Sequence, residues 1–505
     1  MEHGTGAGPD VVVYGATLAG IMAATRLRLR GLRTLILEPT GHVGGIVAGG
    51  LVKTDTPNTP EALAGLTQSR FFAAIGAEYG TPAWQYRFEP KVAARVAARL
   101  LDEAGAEVRL NTRVHGPADV EVRGRRIVSV LGNRARFFID ASYEGDLMAA
   151  AGVPYAVGRE SRATYDEPYA GYLPSRALRR DGFLPNTGYP VRAKPDLPEG
   201  EGDDKTQAYN FRGVLSKGPD RLPFPRPDGY DPALYRHLGR LLERRGIGGL
   251  SQIVTHTALL PNGKYQTNQA LFIGFDLPGA SWDYPDGTWR RREEVIAEHV
   301  RWHQGMLYWL ANDPSLPESF RADARGFGLP PDEFTDSPHG PGFPHALYIR
   351  EGRRMIGQRV LTQHDLLRPG NTKTTPVCCW QYGIDCHIVQ LYPEGEDVIA
   401  GEGAPSGTEF NAPADLYQIP AECLFPARGG VENICVPVCF SASHVGYLSA
   451  RMEPCFGMLG EAAGELAAQS IRTGAAVQDH RYADLAAALE EHGSVLALPQ
   501  LTVTT

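Results

Sequence analysis

The chain has 505 residues, 43% of them hydrophobic and 21% charged, and a net charge of −8. That length exceeds a single core, which stops growing near about 250–300 residues. The negative balance gives no electrostatic case for nucleic acid or an anionic membrane as partner.

No apolar run approaches the roughly 18 residues of a membrane-crossing helix, and residues 1–10 lack the basic-then-apolar pattern of a secretory leader. Seven cysteines (Cys378, Cys379, Cys386, Cys423, Cys435, Cys439 and Cys455) make an odd total confined to the last third. Cys435 and Cys439 lie in an apolar stretch and read as core thiols rather than metal ligands. The expectation is a cytoplasmic protein with reduced cysteines and no tightly bound metal.

In chain order, Val11–Tyr14 is a short β-branched run that suits a strand buried on both faces. Gly15 permits a tight turn, Leu18–Leu29 reads as a helix, and Thr34–Leu37 as a second buried strand ending at Glu38. This β-α-β pattern predicts a dinucleotide site: pyrophosphate over Gly15, Ala16, Thr17, Leu18, Ala19 and Gly20 at the helix N-terminus, and Glu38 on the ribose. Thr17 stands where the usual G-x-G-x-x-G has its middle glycine. The alternative is an ordinary α/β unit whose glycines serve only the turn.

After Glu38 the chain continues through Pro39, His42, Gly44 and Gly45 to Gly49 and Gly50, a glycine-dense loop suited to close approach along a flavin ring and its ribityl chain. On V-V-V-Y-G-x-T-x-A-G and E-P-x-x-H-x-G-G the sequence resembles the FAD-dependent oxidoreductase family of the glutathione-reductase-like flavoprotein superfamily. In that family threonine at the middle glycine is ordinary. The resemblance implies bound FAD. It also implies an α/β fold, with a Rossmann-like FAD-binding domain interrupted by an inserted substrate domain.

Pro60–Tyr79 and Glu89–Ala104 read as helices, the second with a proline at its start and Gly105 at its end. Short strands are expected over 107–111, 120–122, 126–130 and 136–139. Phe137–Asp140 then returns to the parallel sheet, and a helix begins near Glu144. The segment Ile139 to Glu160 follows the family pattern closely, which implies that Asp140, Ala141, Ser142, Gly145 and Asp146 close against the cofactor. Helix capping is the plain alternative for both aspartates.

Residues 164–375 are rich in Pro and Gly and weakly periodic, and read as the inserted substrate-side domain between FAD-domain segments 1–163 and 376–505. Helices are expected at 232–245 and 290–310. Trp302, His303, Tyr308 and Trp309 of the latter suit packing better than chemistry. Pro261–Lys264 and Trp282–Pro285 resemble family signatures, although Tyr265–Asn268 departs from the family's usual continuation.

Two constellations suit chemistry. Tyr348–Arg354 carries Arg350, Arg353 and Arg354, and as a strand would turn Arg350 inward, toward a flavin edge or a substrate carboxylate. A structural ion-pair network is the alternative. Asp385 and His387, two residues apart, would share one face of a strand. The resemblance to the family's D-x-H element makes His387 the leading acid–base candidate, with Asp385 and Arg350 beside it.

Strands are expected at 417–420 and 431–438. Ser441–His444 and Arg451–Pro454 resemble the family's closing motif, which implies Ser443, Pro454 and Cys455 near the flavin, at the N-terminus of a helix over 455–471.

The whole predicts a FAD-dependent oxidoreductase that removes hydride from a small organic molecule. No second glycine-rich β-α-β unit for NAD(P)H is visible. The alternatives are an NAD(P)H-fed flavin monooxygenase and a flavin-binding accessory protein without turnover. His42 offers a covalent link to the flavin, against the plainer role of a loop hydrogen bond.

Overall fold

The computed structural model describes residues 8–498 apart from 57–58, 60–61, 82, 175–191, 255–259, 269–274, 394–398, 404–410 and 413. Its centre is a five-stranded parallel sheet. The strand order is Ile434–Cys435, Phe137–Asp140, Val11–Tyr14, Thr34–Leu37 and Glu107–Arg109. The β-branched first strand is buried at every residue, as a central parallel strand with two covered faces requires.

Alternate side chains of the sheet enter different cores. Val11, Val13, Ile36, Phe137 and Ile139 meet helices Leu18–Leu29, Pro90–Ala104 and Glu453–Thr473. Val12, Tyr14, Leu35, Leu37 and Phe138 meet the antiparallel meander Val120–Arg123, Arg126–Val130 and Asn133–Arg134.

Helices Leu18–Leu29 and Glu453–Thr473 pack with their backbones in near contact. A β-carbon at Gly460 would sit 2.2 Å from the Ala19 carbonyl oxygen, and one at Gly464 2.8 Å from that of Ala23. The small-residue face of the C-terminal helix therefore locks the two ends of the chain around the first turn. A separate apolar core gathers Tyr209, Leu238, Leu250, Val295, Trp302 and Trp309.

Several expected elements have different bounds. Thr67–Phe72 is a π-helical turn running into the α-helix Ala73–Glu78, while residues 60–61 of the helix expected over 60–79 lie outside the described residues. The helix expected from Glu144 starts at Asp146, because Gly145 adopts a left-handed conformation (φ 68°) just before it. Of the Tyr348–Arg354 stretch only Arg354 belongs to a strand, the two-residue Arg354–Met355. Ile384–Asp385 pairs with Asn411–Ala412 and ends there, so Asp385 and His387 do not share a strand face. The C-terminal helix begins at Glu453, with Pro454 in its first turn. All seven cysteines are free and buried. No helix among the described residues is long and apolar enough to cross a membrane.

Candidate active site

Gly15 carries the first feature of the site. Its φ is +101°, and a β-carbon there would lie 2.8 Å from backbone atoms of Ala141 and Ser142. Only glycine permits this close approach of the first turn to the end of the neighbouring strand. A β-carbon at Gly20 would fall 2.1 Å from the Gly15 carbonyl oxygen.

Thr17 has a physical role the glycine pattern did not disclose. It is the N-cap of Leu18–Leu29, accepting from the Gly20 amide at 3.4 Å, and its hydroxyl donates to the Ala141 carbonyl at 2.7 Å. The threonine thus clamps the turn to the adjacent strand, while the helix's first amides have no intrahelical acceptor.

Glu38 is buried at the end of the second strand. Its carboxylate accepts from the Ala16 amide at 2.6 Å and from the Thr40 amide at 2.8 Å. Burial, opposed by these hydrogen bonds, pushes its pKa up to about 7.

These groups border a cavity of about 810 Å³ that runs from Gly15, Glu38 and Pro39 past His42, Gly45 and Ser142 to His345 and Ile349. Its opposite wall is one face of the helix Trp289–Asn312, including Glu293, Ile296, Val300 and Gln304. The volume lies within the ordinary range for cofactor pockets, roughly 300–1,000 Å³.

FAD fits this donor set. A glycine cradle with no room for a β-carbon and an open helix N-terminus suit a pyrophosphate. A buried carboxylate one strand away suits a ribose. Gly45 extends the cradle: a β-carbon there would meet the Tyr143 hydroxyl at 2.5 Å and the Thr17 Cα at 3.2 Å.

His42 also borders the cavity. Its ring stacks on His345 with centroids 3.8 Å apart, and its Nε2 lies 3.2 Å from the Asp336 carboxylate. Burial holds His345 neutral, with a pKa lowered to about 3.

Of the predicted cofactor residues, Gly15, Thr17, Glu38, Pro39, His42, Gly45 and Ser142 line the cavity, whereas Ala16, Leu18, Ala19, Gly20, Gly44, Asp140, Ala141, Gly145, Asp146, Ser443, Pro454 and Cys455 do not. Asp140 accepts from Met148 N at 2.8 Å and from the Ser142 hydroxyl at 2.7 Å, so it shapes the turn that presents Ser142. Asp146 forms a buried ion pair with Arg292 at 2.7 Å and Arg353 at 2.6 Å, which ties the start of its helix to Trp289–Asn312 and to the arginine segment. Ser443 caps the helix His444–Ala450 and donates to Glu167 at 2.6 Å.

The three catalytic candidates converge. His387 Nδ1 lies 2.5 Å from Asp276 Oδ2 and its Nε2 3.6 Å from Asp385 Oδ2. Arg350 Nη2 lies 3.0 Å from the other oxygen of Asp276, and Arg451 contacts Asp385 at 2.9 Å. Burial opposes ionisation of Asp276, but Arg350 and His387 outweigh it and hold the carboxyl well below the usual carboxylate range. Asp385 is likewise lowered against burial, by His387 and Arg451.

Within this cluster Arg350, Asp276 and Arg451 are buried, while the side chains of His387 and Asp385 remain 13% and 14% exposed. Sequence reasoning missed Asp276 and Arg451. The first is over a hundred residues from His387, and the second belongs to a motif read only as a helix start.

The arginine triplet divides between its two readings. Arg353 and Arg354 belong to structural networks, with Asp146 and Asp286 and with Glu160 and Glu351 respectively. Arg350 alone joins His387. In the helix Trp289–Asn312, Trp302 and Trp309 are core residues, and burial holds His303 neutral, its pKa lowered to about 4.

One carboxylate cluster has metal-like spacing: Glu89, Asp332 and Glu333. Lys264 fills it, with Nζ at 2.6, 2.8 and 2.7 Å from the three carboxylates. The ammonium supplies the positive charge, so the family-like Pro261–Lys264 loop is an internal ionic staple.

A glycine-cradled parallel sheet with a buried carboxylate and a long cavity is the arrangement of a dinucleotide-binding α/β protein. The profile of the family "FAD dependent oxidoreductase" matches residues 10–489, and the chain belongs to that family. It is therefore a flavin enzyme that uses FAD. No curated protein matches.

Solved structures with local similarity include the anhydrotetracycline hydroxylase OxyS from Streptomyces rimosus, at 17% identity and TM-score 0.23 over 30% of this chain and 38% of that one. A flavoprotein/dehydrogenase from Cytophaga hutchinsonii matches at 20% identity and TM-score 0.21, over 29% and 42%. A variant of the halogenase PltM in complex with FAD matches at 20% identity and TM-score 0.23, over 29% and 37%. The chain thus spans about two fifths of the length of these proteins. The family assignment rests on the profile match.

Proposed function

We propose that the chain oxidises a small organic molecule by hydride removal, with His387 as the proton-accepting group. The observation that carries this reading is the convergence of Arg350, Asp385 and His387 with Asp276 and Arg451 in one ionic cluster, whose side-chain exposure is at His387 and Asp385 and whose residues stand outside the lining of the cavity. Bound FAD would supply the hydride acceptor, held by the Gly15–Gly20 turn, Glu38 and Gly45.

The chain's own residues handle the proton. Asp276 accepts a hydrogen bond from the Nδ1–H of His387, which fixes the ring and leaves Nε2 as the acceptor. At 3.6 Å the Asp385 oxygen is too far to occupy Nε2 with a hydrogen bond. Arg350 anchors Asp276 and donates at 2.5 Å to the Ala208 carbonyl, so Asp276 cannot swing away from His387. With neutral His387, the two guanidiniums balance the two carboxylates. A proton gained by His387 makes the cluster cationic and favours substrates that carry or develop negative charge.

Anaerobic mixing of the purified protein with candidate small molecules tests this. Flavin bleaching by a substrate without NAD(P)H, and its loss in His387→Ala, is the expected result. Bleaching that requires NAD(P)H would replace it with a monooxygenase reading.

A further inference from the structure

Glu453 is the first residue of the helix Glu453–Thr473 and is 2% exposed. Its Oε1 accepts from the Tyr143 hydroxyl at 2.7 Å, and its Oε2 is buried without any hydrogen-bond partner. Such a carboxylate is ordinarily matched by a cation, yet none pairs with Glu453 among the described residues.

The Tyr143 hydroxyl also accepts from the Ile46 amide at 3.0 Å, and it occupies the space that a side chain at Gly45 would fill. Tyr143, Gly45 and Thr17 all border the cofactor cavity. Glu453 therefore stands one hydrogen bond behind the wall that receives the dinucleotide.

We propose that Glu453, reached from the cavity through the Tyr143 hydroxyl, is a proton-linked residue of the cofactor site, binding a proton when the dinucleotide enters and releasing it when the site empties. The physical reason is charge. FAD brings a doubly negative pyrophosphate, and an ionised Glu453 close by would face it through a low-dielectric wall with no cation to compensate. The neutral acid removes that repulsion, keeps the bond from Tyr143, and turns Oε2 into a potential donor.

The surroundings leave the proton with Glu453. Burial, opposed only by the Tyr143 hydrogen bond, brings the pKa of Glu453 up to about 7. Tyr143 and Tyr348 both face this region, and burial lifts the Tyr143 pKa well above its ordinary value. Arg451, two residues earlier, is bound to Asp385 at 2.9 Å. Glu461, further along the helix, accepts from the amides of Leu66 and Thr67 at 3.0 and 2.6 Å. The positive end of the helix, in whose first turn Glu453 sits, favours the charged form, but by less than burial of a carboxylate without a cation disfavours it.

The sign follows from linkage. Occupancy raises the proton affinity of Glu453 above that of the empty site. Binding is then tightest below pH 7 and weakens as pH rises through the empty-site value toward the occupied one. The inference rests on FAD occupying the cavity and is independent of the substrate reading. Glu38, also brought up to about 7 by burial, adds its own pH dependence, so the comparison must isolate Glu453.

The test is the FAD dissociation constant of deflavinated full-length protein between pH 6 and 8.5, from fluorescence quenching of added FAD, in wild type, Glu453→Gln and Tyr143→Phe. Glu453→Gln keeps the size and the neutral hydrogen bonding. Wild type is expected to weaken at least threefold more over this range than Glu453→Gln, with the two equal at pH 6. Tyr143→Phe removes the one hydrogen bond that opposes burial of Glu453, so its weakening is expected to set in at higher pH than in wild type. A Glu453→Gln profile parallel to wild type would overturn the proposal. A second readout does not need tight binding: infrared difference spectra of FAD uptake at pH 8 should contain a protonated carboxyl band that vanishes in Glu453→Gln. The same band surviving in Glu453→Gln would also refute it.

Discussion

Replacing Gly15 by alanine tests the cofactor turn with a single methyl group. The new β-carbon would stand 2.8 Å from three backbone atoms at Ala141 and Ser142, on a residue whose φ is +101°. The contact forces the strand end or the turn to move, an overpacking cost of about 1–3 kcal/mol. The backbone conformation adds about 1–3 kcal/mol for a residue with a side chain. Together these make roughly 2–6 kcal/mol, which the empty protein relieves by letting the turn shift away from Ser142. Cofactor binding needs the original position, so much of that cost falls on FAD affinity. At about 1.4 kcal/mol per tenfold, the lower end of the range, fully expressed in binding, is a loss of roughly thirtyfold.

Gly31→Ala is the matched control. Its φ is +72°, but nothing lies within 4 Å of the added carbon, so it carries only a backbone cost of about 1–2 kcal/mol. The assay is FAD stoichiometry after gel filtration together with FAD titration of the deflavinated proteins. Gly15→Ala should emerge depleted of FAD, and Gly31→Ala with the wild-type ratio. Equal FAD content and affinity in the two variants would refute the placement of the cofactor at this turn.

Other expectations follow from the same geometry. His387→Ala should slow substrate-driven flavin reduction by roughly a hundredfold or more in anaerobic stopped flow, and an unchanged rate would return His387 to a structural role. Lys264→Met leaves the buried carboxylate of Glu333 without its cation and Glu89 with only the partly exposed Lys91 at 3.2 Å, so about 3 kcal/mol should be lost, read as a lowered thermal midpoint. Because ion pairing with Lys264 lowers the Glu89 carboxyl against burial, its stabilisation is present above the unfolded value near about 4.3 and fades as pH falls through the lower folded value. The loss in Lys264→Met should therefore shrink in acid, and a loss independent of pH would contradict the staple. His42 Nε2 already faces Asp336, so acid precipitation should leave FAD in the supernatant. Yellow colour retained in the pellet, and absent from it in His42→Ala, would establish a covalent link instead.

The parts of the molecule legible in the sequence are those whose physics is local. The first strand, the Gly15 turn, the helix Leu18–Leu29 and Glu38 follow one another within a single β-α-β unit, and they stand where the pattern put them. Pro90 and Gly105 bounded their helix because proline and left-handed glycine act on the backbone directly. The role of Thr17 was hidden because its partner, Ala141, is 124 residues away.

The ionic cluster around His387 divides along the same line. Arg350, Asp385 and His387 sat in short motifs, whereas Asp276 and Arg451 reached them only through tertiary packing. Asp146 shows the converse. An aspartate at a helix start beside a glycine turn looks alike whether it shapes a cofactor pocket or pairs with arginines, and the deciding residues, Arg292 and Arg353, lie far along the chain. The π-helical turn at Thr67–Phe72 left no trace in the apolar periodicity, since its first amides are held by the distant Glu461.

The most direct test of the account is the cofactor content of the purified protein. The expected preparation is yellow, with flavin absorption bands and one FAD per chain released on denaturation. A colourless protein that takes up no FAD on reconstitution would contradict it.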